Sequence, residues 1–206
     1  MIKYLYAVLI FFMLCSPLFS GERISAGVYA GYHYDAGNFS NSKVIDKTVQ
    51  QNIAAGAIFK TDFSFIFFRT GLEISHPFIK GNYGDNIHKT AVSYLEVPIY
   101  AGIVLPVRNY GSVYMGGGGS YLFGYGNIKT SSSKVKISEQ LFGYGMIAGL
   151  ETEIFSRVSF FMEWAYVASK SSPVAASDVS YPYNDYYVDF TGHRLRAGFL
   201  YHFSRN

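Results

Sequence analysis

Two groups of side chains in this sequence have types and spacings that could support chemistry. His33 and Asp35 lie two positions apart, and a histidine close to a carboxylate can act in acid–base catalysis. His76, Asp85 and His88 share one polar segment and have metal-binding side chains, but they lack the helical spacing and the further strong ligand of a well-defined metal site. For His33, a hydrogen bond to a neighbouring side chain is the simpler interpretation. We therefore predict no catalytic residue and no metal ligand.

The sequence also gives little support for cofactor chemistry or for thiol chemistry. The glycine-rich stretch GGGGSYLFGYG (116–126) lacks the Lys-Ser/Thr pair of a phosphate-binding loop, and we predict no cofactor. The only cysteine, Cys15, lies in an apolar N-terminal segment, so we expect no disulfide and no thiol nucleophile in the chain that follows. The net charge of +3 is small and dispersed, which argues against a nucleic-acid partner.

In the segments that would position such side chains, apolar residues recur every two positions, as in a β-strand, rather than every 3.6, as in a helix. In ISAGVYAGYHY (24–34) and SFIFFRTGLEIS (64–75), one alternate set of residues is almost wholly apolar, whereas Gly, Ser, Tyr and nearly all the charges fall on the other. The same division recurs in six further stretches, near 50–60, 93–105, 111–123, 140–152, 158–168 and 193–203. Segments of about ten residues can cross a bilayer as tilted strands. The pattern predicts an all-β chain of eight strands.

The connections between these strands alternate in length. The long ones are 35–49, 76–91, 124–138 and 169–191, and the short ones are 61–63, 106–111 and 153–157. Long external loops, short periplasmic turns and an even strand number are typical of bacterial outer-membrane barrels. We therefore predict an eight-stranded antiparallel up-and-down transmembrane β-barrel. A soluble sandwich or lipocalin-like barrel is the alternative, but it would turn the apolar face inward and gives no reason for the alternation.

Charged residues within the strands share the face opposite the apolar one. Six of them are singled out as candidates: Arg69, Glu73, Glu96, Glu163, Arg194 and Arg196. Because side chains just fill the interior of an eight-stranded barrel, we expect these six to form a paired lumenal charge cluster. Pro98 follows Glu96 closely and has no backbone N–H, so it costs one ladder hydrogen bond unless a bulge lies there.

Aromatic residues on the apolar face gather near the long connections. They are Tyr32, Tyr34, Tyr121, Phe123, Phe142, Tyr144 and Tyr166, and we predict that they form the outer aromatic girdle of a membrane barrel. Tyr201 and Phe203 would belong to the girdle at the periplasmic boundary.

The N-terminus has the pattern of an export signal. A lysine is followed by an apolar segment and then by small residues, so we predict a signal peptide over 1–20, cleaved after Ser20, and a barrel domain over 21–206. A lipoprotein anchor at Cys15 is the alternative, but the residue before it, Leu14, is bulky where a small residue is required.

Three stretches resemble a known family. YLEVPIYAGI (94–103) resembles the Tyr-Leu-Glu-(Ile/Val)-Pro strand of the bacterial outer-membrane beta-barrel domain family, often called porin-like. The resemblance continues through GYGMIAGLETEIFSRVSFFMEWAYV (143–167) and RLRAGFLYHF (194–203). It implies an OmpX-like eight-stranded barrel in the bacterial outer membrane, in contact with outer-membrane lipid and inserted by the barrel-insertion machinery.

We expect a structural or surface-binding, adhesin-like role through the extracellular loops. The stretch PVAASDVSYPYNDYYVDFTG (173–192) is rich in Tyr with Ser, Asn and Asp, a composition that suits the binding of an extracellular ligand. Two alternatives remain open at the level of sequence. One is a lipid A-modifying outer-membrane enzyme that uses His33, and the other is a narrow solute channel.

Overall fold

The computed structural model describes residues 23–34, 38–40, 47–48, 50–83, 88–107, 111–129, 134–169 and 187–203. The predicted signal peptide and Cys15 lie outside these residues. Within the described part of the chain, no helix has the length and apolar character needed to span a membrane.

Eight long strands form a closed barrel. They are β1 (Arg23–Tyr34), β2 (Gln51–Phe63), β3 (Ile66–Ile79), β4 (His88–Val107), β5 (Gly111–Lys129), β6 (Lys134–Phe155), β7 (Val158–Ala168) and β8 (Gly192–His202). Each strand pairs antiparallel with the next, and β8 pairs with β1. The predicted eight-stranded antiparallel up-and-down barrel is confirmed.

The register of the pairs shows that the strands are staggered around the barrel. A path of directly opposed residues starts at Ile24, passes Thr61, Phe68, Ala101, Gly117, Met146, Tyr166 and His193, and returns to β1 at Tyr34. The path therefore returns ten residues further along β1, from 24 to 34. A stagger of this kind accompanies the strand tilt of roughly 35–45° that closure requires.

Three neighbouring strands, β4, β5 and β6, extend beyond the ends of the adjoining strands β3 and β7. Residues 76–91 and 124–138, predicted as long loops, are largely strand: β6 pairs with β5 alone before Tyr144, and Gly81–Tyr83 pairs with β4. We call the segments 88–93, 124–129 and 134–139 the outer ribbon. The two-residue alternation in these stretches is weak, which is why they were predicted as loops.

Two short ribbons elsewhere also involve long connections. Asn38–Ser40 of the first connection pairs with Tyr187–Asp189 of the last, and Lys47–Thr48 pairs with Gly81–Tyr83. The long connections are therefore joined to one another on one side of the barrel.

The predicted tight turn at 61–63 is wrong. Strand β2 continues to Phe63, and the turn consists of Ser64, which has a φ of 56°, and Phe65. The reason is that the buried Asp62 makes ion pairs with Lys60 and Arg23, each at 3.1 Å, and these hold it within the strand.

Pro98 interrupts a ladder without changing its register. Between β3 and β4, Thr70 lies opposite Ile99 and pairing resumes with Glu73 opposite Glu96, so the two intervening pairs are missing but no residue is inserted. The Thr70 hydroxyl donates a hydrogen bond to the Pro98 carbonyl at 2.9 Å. Because no bulge intervenes, Glu96 keeps its inward orientation.

The outward face of the barrel is apolar. Val28, Phe78, Phe142, Tyr144 and Phe155 are each more than 60% exposed. Below the outer ribbon, the outward positions of the described strands contain no Asp, Glu, Lys or Arg. The arrangement is the reverse of the soluble alternative, which places apolar side chains inside.

Candidate functional site

The barrel lumen contains a continuous chain of ion pairs. It is built from Arg69 and Glu73 of β3, Glu96 of β4, Glu163 of β7, and Arg194 and Arg196 of β8. Residues two or four positions apart on a strand share a face, which is how β3 and β8 each bring two of these side chains into the interior. None of the six is more than 3% exposed. All six residues proposed from alternation therefore lie together.

Arg196 occupies the centre of this chain. Its Nε donates a hydrogen bond to Glu73 Oε2 at 2.7 Å, and its Nη1 donates one to Glu163 Oε1 at 3.0 Å. The second oxygen of Glu163, Oε2, pairs with Arg69. One guanidinium thus joins two carboxylates on different strands.

The other half of the chain runs through Arg194. It forms an ion pair with Glu96, and its Nη1 lies 3.7 Å from Glu73 Oε1. The resulting order is Arg69, Glu163, Arg196, Glu73, Arg194, Glu96, which we call the lumenal ion chain. Its signs alternate and its formal charges sum to zero, so each buried charge has a partner, as burial in a barrel interior requires.

Tyrosine side chains support the lumenal ion chain. The Tyr29 hydroxyl donates to Glu73 Oε2 at 2.9 Å, and the Tyr114 hydroxyl donates to Glu163 Oε2 at 3.1 Å. The Arg196 guanidinium also lies 5.6 Å from the centre of the Tyr29 ring, within the range of a cation–π contact. The carboxylates at the middle of the chain are therefore held by both charge and neutral hydrogen bonds.

Glycines make room for these tyrosines. A Cβ at Gly149 would lie 2.4 Å from Cζ of Tyr114, and a Cβ at Gly56 would lie 2.4 Å from Cζ of Tyr29. Larger residues at either position would displace a ring that hydrogen-bonds a carboxylate of the chain.

A second ionic cluster, which the sequence analysis did not identify, lies at the end of the barrel with the short turns. Lys60 Nζ is 2.8 Å from Glu151 Oε2 and 3.1 Å from Asp62 Oδ1, and Arg23 pairs with the same two carboxylates. His202 Nε2 lies 3.6 Å from Glu151 Oε1. Lys60 and Glu151 both occupy inward positions in the two-residue alternation, so the sequence pattern could have identified them as lumenal charges.

His33 lies next to Glu73 of the lumenal ion chain, towards the end of the barrel with the long connections, and is completely buried. Its Nδ1 makes a short hydrogen bond with the Tyr94 hydroxyl, and its Nε2 lies 3.4 Å from Glu73 Oε1. Both ring nitrogens therefore face protein groups. Asp35, considered above as its acid–base partner, lies outside the described residues.

Phe190 packs against Tyr94, the residue that is hydrogen-bonded to His33. This residue is fully buried, and its ring meets that of Tyr94 edge-on with centroids 5.6 Å apart. It lies against Gly124, where a Cβ would be only 2.5 Å from its Cζ. Phe190 enters from the last long connection, so part of that connection packs into the barrel.

Of the three residues considered as metal ligands, His76 alone has a described side chain. Its Nδ1 is hydrogen-bonded to the Ser93 hydroxyl at 2.8 Å, whereas Asp85 and the side chain of His88 lie outside what the structure describes. Among the residues that the structure describes, no three His, Cys, Asp or Glu side chains converge as a metal site requires.

The residues of the proposed outer aromatic girdle all lie on the outward face. Tyr32, Tyr34, Tyr121, Phe142 and Tyr144 are exposed, and Phe123 and Tyr166 are half-buried. Two of the hydroxyls meet polar side chains: Tyr32 donates to Gln51 Oε1 at 2.5 Å, and Tyr121 donates to Gln140 Oε1 at 2.9 Å. Each of these two rings therefore lies on the apolar outward face while its hydroxyl is hydrogen-bonded to a polar side chain. At the opposite end, the exposed rings of Tyr201 and Phe203 meet edge-on, 5.4 Å apart.

Solved structures share this fold. The crystal structure of the outer membrane protein OprG from Pseudomonas aeruginosa superposes with a TM-score of 0.58 at 16% identity, over 89% of this chain and 96% of that one. The crystal structure of Neisserial surface protein A (NspA) gives a TM-score of 0.59 at 11% identity, over 86% of this chain and 96% of that one. No protein-family model matches the chain, and no curated protein matches it in sequence.

At these identities the likeness concerns the fold alone. The chain has the fold of the small outer-membrane β-barrels, an eight-stranded antiparallel barrel.

Proposed function

We propose that this protein is exported to the bacterial outer membrane, that its barrel does not conduct solutes, and that it acts through the surface beyond its outer rim in a structural or surface-binding, adhesin-like role. The observation that carries the proposal is the lumenal ion chain. Six buried charges that pair with one another fill the interior, whereas the outward face of the described strands below the outer ribbon is uncharged and largely apolar.

The exterior supports a membrane location. A monomeric soluble protein rarely exposes a contiguous apolar patch of more than a few hundred Å². Here apolar side chains are exposed on all eight strands, from Val28 on β1 to Phe199 on β8. A surface of this kind is stable in contact with lipid, and the aromatic residues at both ends suit the two membrane boundaries.

The interior argues against a solute channel. Eight strands enclose a space that side chains just fill. Arg69, Arg194, Tyr94 and Tyr100 are among the largest fully buried side chains of the described residues, and the fully buried Phe190 packs against Tyr94. A conducting path would require the ion pairs to separate.

The surroundings of His33 do not support the enzyme alternative. A catalytic histidine must reach the proton that it transfers. The His33 ring is instead enclosed by Tyr94 and Glu73, with no exposed surface. We therefore propose no enzymatic activity.

The outer ribbon is the part of the structure best placed for binding. It extends three neighbouring strands beyond the barrel wall, and Asn38–Ser40 and Tyr187–Asp189 add a second small sheet on the same side. Extended strands and tyrosine-rich connections offer a rigid surface and adaptable side chains for an extracellular ligand.

Cell fractionation combined with gel electrophoresis tests this proposal. The protein should sediment with outer membranes and migrate differently before and after boiling, as folded membrane barrels do. In a shortened variant, residues 125–138 are replaced by a short turn. This variant should keep the heat-dependent migration, but whole cells that carry it should no longer adhere to the surfaces that the unmodified strain binds. Recovery as a soluble periplasmic protein would reject the membrane location, and unchanged adhesion by the shortened variant would reject the role of the outer ribbon.

A further inference from the structure

The outer parts of β3 and β4 lie side by side without a ladder. The described pairs between them end at Ser75 opposite Tyr94, although both strands continue beyond that pair. Continued in the same register, the ladder would place Pro77 opposite Val92. Because Pro77 has no backbone N–H, it cannot donate the ladder hydrogen bond to the Val92 carbonyl.

The side chain of Gln50 takes the position of the missing strand partner. Its Nε2 donates a hydrogen bond to the Val92 carbonyl at 2.8 Å, and the Val92 N–H donates one to Gln50 Oε1 at 3.1 Å. A side-chain amide offers the same donor and acceptor as a peptide group. Both backbone groups of Val92 are therefore bonded, in a place where neither residue is more than 1% exposed.

Neighbouring polar side chains hold the Gln50 amide in this position. Gln50 directly precedes β2, and the register of β2 against β3 shifts between Gln51 and Asn52, an irregularity of the kind that redirects side chains. Gln50 Nε2 also donates to Asn52 Oδ1 at 2.8 Å, and Asn52 Nδ2 donates to the Ser75 hydroxyl at 2.8 Å. Gln50, Asn52 and Ser75 are fully buried, so hydrogen bonds from β2 and β3 fix the amide that meets β4.

Val92 lies in the segment 88–93 of the outer ribbon. Beyond it, pairing with β4 resumes at Gly81 opposite Thr90, in a register displaced by two residues from that of Ser75. Between Ser75 and Gly81, the hydrogen bonds of Gln50 are thus the described polar link between the ribbon and the barrel wall on this side.

We propose that Gln50 is a positioning residue, which fixes the outer ribbon to the barrel wall across the interruption that Pro77 makes. The consequence for binding rests on the surface role proposed above. A ribbon that is held in one orientation loses less conformational freedom when it binds a ligand than one that can turn about its base.

Amide hydrogen exchange, resolved by NMR on the folded protein in detergent micelles, tests the anchor. In Gln50→Met the side chain keeps its length but loses the amide, and exchange at Val92 should become about tenfold faster, as expected when hydrogen bonds worth about 1.4 kcal/mol together are lost. The matched control is Gln51→Met. Gln51 is the next residue along the chain, but its side chain accepts a hydrogen bond from Tyr32 on the outward face, so this change should leave Val92 exchange unaltered.

A second substitution separates the anchor from a general loss of packing. Pro77→Ala restores a backbone N–H opposite Val92 and removes the ring, so the ladder of β3 and β4 can continue there. Combined with Gln50→Met, it should return Val92 exchange close to that of the unmodified protein. Unchanged exchange in Gln50→Met, or fast exchange that Pro77→Ala does not slow, would overturn the proposal.

One measurement needs no variant and therefore does not depend on any variant folding. In the unmodified protein the side-chain amide protons of Gln50 should exchange much more slowly than those of Gln51, because the Gln50 amide is buried and bonded to Val92. Equal exchange of the two side-chain amides would also overturn the proposal.

Adhesion of whole cells tests the consequence for binding. Cells carrying Gln50→Met should adhere less than cells with the unmodified protein, the Pro77→Ala combination should restore adhesion, and Gln51→Met should not change it. Full adhesion by Gln50→Met despite fast Val92 exchange would refute the positioning role. If cells with the unmodified protein do not adhere, the surface-binding role fails, and the exchange rates at Val92 still decide whether Gln50 anchors the ribbon.

Discussion

Removing the central arginine of the lumenal ion chain should destabilise the folded barrel. In Arg196→Ala, Glu73 loses its closest charged partner, at 2.7 Å, and Glu163 loses one of its two arginine partners, at 3.0 Å. Breaking a buried ion pair by deleting one partner costs about 3–5 kcal/mol, because the remaining charge stays buried without compensation. The free energy of unfolding should therefore fall markedly.

The size of the expected loss in stability depends on the partners that Glu73 and Glu163 keep. Glu163 keeps Arg69 and the Tyr114 hydroxyl, and Glu73 keeps the Tyr29 hydroxyl and the more distant Arg194. We therefore expect a loss of about 3 kcal/mol, at the lower end of that range. Arg69→Ala should cost a similar amount. Adding Glu73→Gln to Arg196→Ala should recover at least about 1 kcal/mol, because it removes one of the unpaired charges.

Urea unfolding in phospholipid vesicles measures this effect. Trp164 is the only tryptophan of the chain and lies on an outward position of β7, so its emission reports folding of the barrel wall. The control is Lys129→Ala, an exposed substitution that should stay within about 0.5 kcal/mol of the unmodified protein. If Arg196→Ala and Arg69→Ala unfold at the same urea concentration as the control, the reasoning from buried ion pairs is refuted.

Four further outcomes are expected. The unmodified protein should give no porin-sized openings in planar bilayers, because side chains fill its lumen, and stable large conductances would contradict this. An epitope inserted at Ser132 should be accessible on intact cells and one at Asn109 should not. Both residues lie outside the described ones, but the strand order places their connections at opposite ends of the barrel, so labelling at Asn109 would reverse the orientation. Gly149→Val should lower the folded fraction seen by gel shift, because its Cβ would overlap the Tyr114 ring, and folding equal to the unmodified protein would show that the ring can move. His33→Ala should leave the lipid A of the producing cells unchanged by mass spectrometry, and loss of an acyl modification would support the enzyme alternative.

Much of the fold could be predicted because the sequence pattern has a direct physical cause. Side chains alternate between two faces of a strand, so the apolar set and the charged set separate without any knowledge of tertiary contacts. Glu96 shows this clearly: its parity placed it inside, and the structure places it there although Pro98 interrupts the neighbouring ladder. The number of strands and the orientation of each face could therefore be predicted from the local sequence alone.

Contacts between distant strands could not be predicted in the same way. Parity places Arg194 and Arg196 in the lumen, but only the register decides that Arg194 meets Glu96 and Arg196 meets Glu163. The local sequence predicts a turn at Asp62, because its partner Arg23 is 39 positions away and leaves no local signal. That Lys129 lies opposite both Lys89 and Lys134 likewise becomes clear only when β4, β5 and β6 are aligned.

The central claim, a lipid-facing exterior around a filled interior, is tested most directly by single tryptophans on successive residues of β7. Trp164 is the only native tryptophan, so a chain carrying Trp164→Phe can receive one tryptophan in place of Phe160, Phe161 or Met162 and be reconstituted in vesicles. Brominated lipids should quench the tryptophans replacing Phe160 and Met162 strongly, and the one replacing the buried Phe161 weakly or not at all. Quenching that does not alternate along the strand, or that is stronger at the inward positions, would contradict the account.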